Sequence, residues 1–265
     1  MSSTTFQARG HRAEAQQHPV GQTAPPPPAG VALTGIASLP SLRQLPFFAG
    51  VPDEALASLA ARARWQVYAP GEVVVDSGDP TDEVFFVAEG AVRVVVRTAL
   101  GYEAILNDLG AGSFFGELAA IDGVPRSANV TALQRTRVCA VPGPAFMDAA
   151  FASPVAARRL MRLLASRLRA KDERLLEFMA LPVRQRLMAE LLRLSRDRGG
   201  GERALSPPPQ QHVLAARIGT RRETVSREMA EMARAGLLTV GRRAIVLHRP
   251  EALQVEIEAR LRGAG

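Results

Sequence analysis

The chain has 265 residues, of which 47% are hydrophobic, with one cysteine and a formal net charge of +7. That is room for two modest domains with real cores. The lone Cys139 excludes a disulfide framework and any cysteine cluster for zinc or iron–sulfur, and the four histidines (His11, His18, His212, His248) lack metal-ligand spacing, so no metal is expected. No apolar run approaches the roughly 18 residues of a membrane span, and the polar N-terminus has no signal-peptide core; the expectation is a soluble cytoplasmic protein with no membrane partner.

Residues 1–38 are polar, with a Pro25–Pro28 run. They cannot bury enough apolar surface to offset their ordering entropy and are predicted to be a disordered tail. Leu39 to Arg64 reads as two short helices, with Pro52 at a helix start and Leu56, Leu59 and Ala60 as the apolar stripe. From Trp65 to Val141 short alternating runs are punctuated by Gly71, Gly78, Gly90, Gly101 and Gly110. That spacing predicts an antiparallel β-barrel or sandwich, and the first domain is bounded at 39–150.

Residues 151–181 read as a long dimerisation helix. Met161, Leu164, Leu168, Lys171, Leu175 and Phe178 follow a 3-4-3-4-3 spacing, a coiled-coil seam interrupted by the chain's only lysine. The side away from the seam is charged (Arg159, Arg162, Arg169, Glu173, Glu177). A homodimer is therefore expected. Pro182 breaks the helix, and Val183–Leu194 forms another amphipathic helix, followed by a flexible Gly199–Gly201 loop.

Residues 182–265 make the second domain. Between Pro182 and His248 there are thirteen Arg against six Asp/Glu, a balance of +7, so the rest of the chain is close to neutral. Arginine-rich codon usage explains Arg over Lys but not this concentration; a basic block suits a phosphate backbone. Gln210–Ile218 has the length of a short helix, Gly219 supplies a tight turn, and Thr220 is a candidate cap for a second helix running to about Ala235. Two helices joined in this way form a helix-turn-helix.

In the second helix Val225, Met229 and Met232 point inward. Arg222, Glu223, Ser226 and Arg227 are left to read base edges: Arg donates to guanine O6 and N7, and Glu accepts from cytosine N4. Gln211, Thr220, Arg221 and Thr224 complete the candidate DNA-binding set. Beyond Gly236, LLTV-GRR-AIVLH reads as a β-hairpin whose tip, Arg242 and Arg243, suits phosphates. A last helix spans about Pro250 to Leu261.

At this point the chain from Leu39 to His248 resembles the cyclic AMP receptor protein (CRP/FNR) family of transcription regulators. IGTRRETVSR is one carrier. The other is Phe115-Gly116-Glu117-Leu118-Ala119-Ala120 followed by Arg126-Ser127-Ala128, similar to the family's phosphate-binding cassette. The chemistry agrees: a Gly-led short helix exposes backbone N–H groups to an anion, and an arginine can pair bidentately with a phosphodiester.

The resemblance implies an α+β fold, with a jelly-roll-like β-roll, a long dimerisation helix and a winged helix-turn-helix. It implies that Arg126 and Ser127 hold a cyclic phosphate, Glu117 the ribose, and Gly116 and Leu118 the backbone contacts, with Ala119 and Ala128 in the same cassette. Where cyclic-AMP-binding members carry a Thr-Ser or Thr-Asn pair against the base, this chain has Lys171 and Asp172. Either Asp172 accepts from guanine donors, favouring cyclic GMP or a cyclic guanine dinucleotide, or Lys171 and Asp172 pair across the dimer and cyclic AMP is held through its ribose phosphate.

Nucleotide binding is expected to reset the dimer seam allosterically. The expected partners are a palindromic double-stranded operator with TGTGA-like half-sites, a second copy of the chain and RNA polymerase. A ligand-independent regulator and a regulatory module of a signalling complex are the competing readings. The sequence has no kinase motif or membrane helix for the latter, and no nucleophile–base pair for an enzyme.

Overall fold

A computed structural model describes residues 32–36 (backbone only), 42–98 and 102–263. The N-terminal domain is two facing antiparallel sheets. The five-stranded sheet has the order β1-β2-β9-β4-β7, built from β1 (Ala32–Ile36), β2 (Arg64–Tyr68), β9 (Thr136–Val141), β4 (Val84–Glu89) and β7 (Phe114–Phe115). The four-stranded sheet runs β3-β8-β5-β6, from β3 (Val73–Val75), β8 (Asn129–Ala132), β5 (Ala91–Arg97) and β6 (Glu103–Gly110). Their inner faces enclose Val87, Val92, Phe115, Val130 and Val138, as alternation of apolar and polar residues requires.

A second core lies on the other face of the larger sheet. A 3-10 turn (Pro46–Phe48), α1 (Asp53–Ala60) and α3 (Gly143–Ala152) cover it. Phe47 meets Phe114 edge-on at 5.0 Å, and Phe48 meets Phe86 at 4.8 Å. Such pairs add about 0.5–1.5 kcal/mol each beyond the area they bury, and they fix the end of β7, from which the cassette departs.

β1 begins inside the segment predicted to be tail. It pairs antiparallel with β2 from Ala32 to Ile36, so the tail reading is corrected there, because a partner strand supplies the backbone hydrogen bonds that composition alone does not reveal. Residues 1–31 and 37–41 lie outside the described residues. The helical stretch predicted over 151–181 is also divided. Phe151 belongs to α3, and α4 spans Pro154–Ala180. Ser153 is extended and its hydroxyl accepts from Ala156 N, while Pro154 has the fixed φ that suits a first helical turn.

Along α4, Met161, Leu168 and Leu175 are 67%, 61% and 59% exposed, which leaves the seam as an open apolar row. The C-terminal domain begins with α5 (Val183–Leu194) and contains α6 (Gln211–Ile218), α7 (Arg222–Arg234) and α8 (Pro250–Leu261). These pack on a sheet of order β10-β11-β13-β12: β10 (Arg196–Gly199), β11 (Glu202–Leu205), β13 (Ile245–Leu247) and β12 (Leu238–Val240). The glycines read as a flexible loop are instead the tip of the β10–β11 hairpin; Gly199, Gly200 and Gly201 all have positive φ. The core joins Leu187, Met188 and Leu191 of α5 to Leu214, Ile218, Val225, Met229 and Met232.

Candidate nucleotide cassette and nucleic-acid interface

The cassette starts where β7 ends. Gly116 has φ +87°, and a Cβ there would lie 2.6 Å from Glu83 O and 2.7 Å from Arg126 Nη1. Only glycine fits both the backbone conformation and that approach. α2 (Glu117–Asp122) follows, with Glu117 and Ala119 buried and Leu118 exposed. Arg126 returns to the same place: its backbone N donates to Asp79 O at 2.9 Å and its O accepts from Gly78 N at 2.8 Å.

The Arg126 side chain is 5% exposed. Its Nε donates to Thr81 Oγ1 at 3.1 Å, Nη1 to Gly116 O at 3.1 Å and Nη2 to Glu83 O at 2.8 Å. All three acceptors are uncharged. Burial pulls its pKa below the usual arginine value, against the charges of Glu83, Asp82, Asp79 and Glu117. A buried cation whose direct partners are neutral oxygens is costly and is stabilised by an anion. Beside it, Ser127 is exposed and Ala128 is 9% exposed.

Glu117 is 3% exposed and is met from outside the β-roll by Arg167 of α4. Arg167 also donates to Phe114 O at 2.6 Å, and its guanidinium lies 5.6 Å from the Phe114 ring centre. Sequence reasoning missed Arg167, since nothing in one more arginine on a charged helix marks a partner fifty residues away. The clue was its position one turn before Lys171. Lys171 and Asp172 are both exposed on α4, and among the described residues neither forms an ion pair. Lys171 shares the face of Arg167, and helical side chains lean toward the N-terminus, which places Lys171 over the turn that meets the cassette.

In the second domain α6, Gly219 and α7 form the helix-turn-helix. Gly219 is left-handed (φ +63°), and Thr220 N reaches back to Ala215 O at 3.1 Å. The cap of α7 is Arg221, with no side-chain capping bond, so the predicted Thr220 cap is corrected: the turn consumes Thr220 one residue earlier. Val225, Met229 and Met232 are buried. Arg221, Arg222, Glu223, Ser226 and Arg227 are exposed, while Gln211, Thr220 and Thr224 are half-buried. Arg242 and Arg243 are exposed at the tip between β12 and β13.

Known families match both regions. Residues 65–153 match the model of the cyclic nucleotide-binding domain, and residues 185–255 that of the Crp-like helix-turn-helix domain. The chain is 32% identical over 198 residues to the cyclic AMP receptor protein of Thermus thermophilus, covering 74% of this chain and 89% of that one. It is 27% identical over 209 residues to a CRP-like cAMP-activated global transcriptional regulator of Mycobacterium tuberculosis, covering 78% and 93%. A solved CRP/FNR-family transcriptional regulator from Thermus thermophilus superposes with a TM-score of 0.60 at 26% identity, covering 74% and 99%. With the fold, the cassette and the reading helix in the same order, the chain belongs to the CRP/FNR family of transcription regulators.

Proposed function

We propose that this regulator is a homodimer whose affinity for a palindromic operator is set by a cyclic nucleotide held between the β-roll and α4, with cyclic AMP the first candidate. The observation that carries this reading is the buried Arg126 guanidinium, whose direct contacts are uncharged oxygens. A cyclic phosphodiester would supply the missing charge and Ser127 a hydroxyl donor, with Glu117 accepting from a ribose hydroxyl. Gly116, Leu118 and Ala119 frame the phosphate with backbone, and Ala128 closes the cassette without bulk.

The open apolar row Met161–Leu168–Leu175 calls for a second copy of α4. Dimerisation would present two reading helices about 34 Å apart, one turn of duplex. Arg222, Glu223, Ser226 and Arg227 would read bases, and Arg221, Thr220, Thr224, Gln211, Arg242 and Arg243 would hold the backbone. Recruitment of RNA polymerase belongs to the same reading.

Asp172, exposed and without an ion-pair partner among the described residues, favours a second ligand reading in which it accepts from guanine, selecting cyclic GMP or a cyclic guanine dinucleotide. Calorimetric titration of the purified protein with cyclic AMP, cyclic GMP and the cyclic guanine dinucleotide decides. Cyclic AMP binding that survives Asp172→Ala unchanged rejects the guanine reading. Absence of heat with all three rejects nucleotide control.

A further inference from the structure

Arg174, Arg184, Arg193 and Arg217, packed round the core of the C-terminal domain, are each answered by carboxylates. Arg174 and Arg193 engage the fully buried Glu190, and Arg217 lies 3.3 Å from it and also pairs with Asp108 of β6. Arg184, at the start of α5, lies 3.6, 3.5 and 3.7 Å from Glu228, Glu231 and Glu256. Arg186, in the first turn of the same helix, differs. Its side chain is half-buried, its Nε is covered without an acceptor, and among the described residues its guanidinium forms no ion pair. It lies over the Phe178 ring instead, 5.1 Å from the ring centre. Burial pulls its pKa below the usual arginine value, and no neighbouring charge offsets that.

The position of this cation matters as much as its lack of an anion. The Phe178 ring that supports it also lies under Gly219, where an added Cβ would come within 2.9 Å of a ring carbon. Arg186 and the turn between α6 and α7 therefore share one aromatic support. In a bound helix-turn-helix the first helix crosses the DNA backbone while the second lies in the major groove, so a phosphate strand runs past that turn. An aromatic face offsets only part of the hydration a half-buried cation has lost. The planar fork of a guanidinium matches a phosphate with two parallel hydrogen bonds.

We propose that Arg186 is a DNA-backbone contact, its guanidinium steadied over Phe178 beside the turn and taking a phosphate when the helix-turn-helix docks. This adds a residue of α5 to a contact set otherwise drawn from α6, the turn, α7 and the tip of the β12–β13 hairpin. It also explains why this arginine is left without a carboxylate while its neighbours are paired: an internal anion would compete with the phosphate. The proposal rests on the helix-turn-helix being the DNA-binding element, and it is independent of which nucleotide, if any, controls the protein.

The test follows the salt dependence of binding of the full chain, without nucleotide, to a mixed-sequence duplex. Each phosphate neutralised contributes about 0.9 to the slope of log affinity against log salt. Arg186→Gln is expected to lower the slope by about that amount for each protomer bound, so its affinity deficit grows roughly eightfold for each tenfold fall in salt. Arg186→Lys, which keeps a point charge, should restore the slope. Arg62→Gln is the control: it removes the same charge from the end of α1 in the β-roll domain, beside Ser58 and Asp148, and should leave the slope unchanged. A second measurement needs no variant. Labelling the wild-type chain with an arginine-specific dicarbonyl reagent, mapped by peptide mass, should mark Arg186 in the free protein and spare it with duplex bound, while Arg62 stays labelled in both.

A deficit of Arg186→Gln that is the same at every salt concentration overturns the proposal, because it marks a residue that only supports the fold. Labelling of Arg186 that duplex does not change overturns it too. Calorimetry with inorganic phosphate separates the remaining source of the anion: a heat that Arg186→Gln abolishes, with the DNA slope intact, assigns the residue to a small anion and rejects the backbone contact. Wild-type protein that binds no duplex at low salt rejects the helix-turn-helix reading itself; wild-type binding with an unaltered slope in Arg186→Gln rejects the Arg186 contact alone.

Discussion

The cassette and the helix-turn-helix both present arginine, yet they hold it in opposite ways. Arg126 is buried, fastened by three hydrogen bonds and backed by strand ends. Arg222 and Arg227 stand exposed on α7, and the nearest acidic neighbour of Arg227 is Glu228 at 3.8 Å. A buried cation suits one small anion of fixed shape, because its desolvation has already been met by the fold. An exposed row suits a polyanion, where binding is driven by release of counterions and falls steeply with salt. The first arrangement selects; the second searches.

That contrast can be broken most sharply at Arg126. Arg126→Leu is expected to lower cyclic nucleotide affinity by about 2–5 kcal/mol, the usual loss when one partner of a buried, hydrogen-bonded charge pair is removed. Binding to mixed-sequence duplex at low salt should be unaltered. Calorimetry and fluorescence anisotropy on one preparation check both, and equal losses in the two would erase the distinction. Arg227→Ala is the reciprocal case. Specific operator binding is expected to weaken by about 1–3 kcal/mol with nucleotide affinity unchanged; a uniform loss on specific and random duplexes would assign Arg227 to the backbone.

The smallest expected effect concerns a residue outside both sites. Burial pushes the Cys139 thiol up to about 12, so at pH 8 it is a thiol and not the reactive thiolate. Native protein should leave a colorimetric thiol reagent unreacted until denaturant is added. Rapid labelling of the native chain would show that the strand β9 opens readily and that the cassette rests on softer support than its packing implies.

Legibility in the sequence followed the range of the interactions. Helix α5 could be bounded to the residue and the last helix α8 approximately, because proline starts and apolar periodicity are local signals. The buried residues of α7 and its exposed face were legible for the same reason. The ion pairs were not: Arg167 meets Glu117 across fifty positions, and Arg217 meets Asp108 across more than a hundred. No period in the chain announces such partners; only the topology brings them together. The β10–β11 hairpin was missed for a different reason. Three successive glycines read as freedom, whereas here each takes a left-handed turn conformation that closes a hairpin.

One contact has a mechanical meaning. Phe178, the last residue of the α4 seam, lies under Gly219, where an added Cβ would come within 2.9 Å of its ring; Arg186 of α5 covers the ring at 5.1 Å. The turn of the helix-turn-helix therefore rests on the end of α4 with room for glycine alone, like a follower on a cam. A shift of the Phe178 ring toward the turn would press on the Gly219 backbone directly, whereas a slackly fitted joint would absorb it.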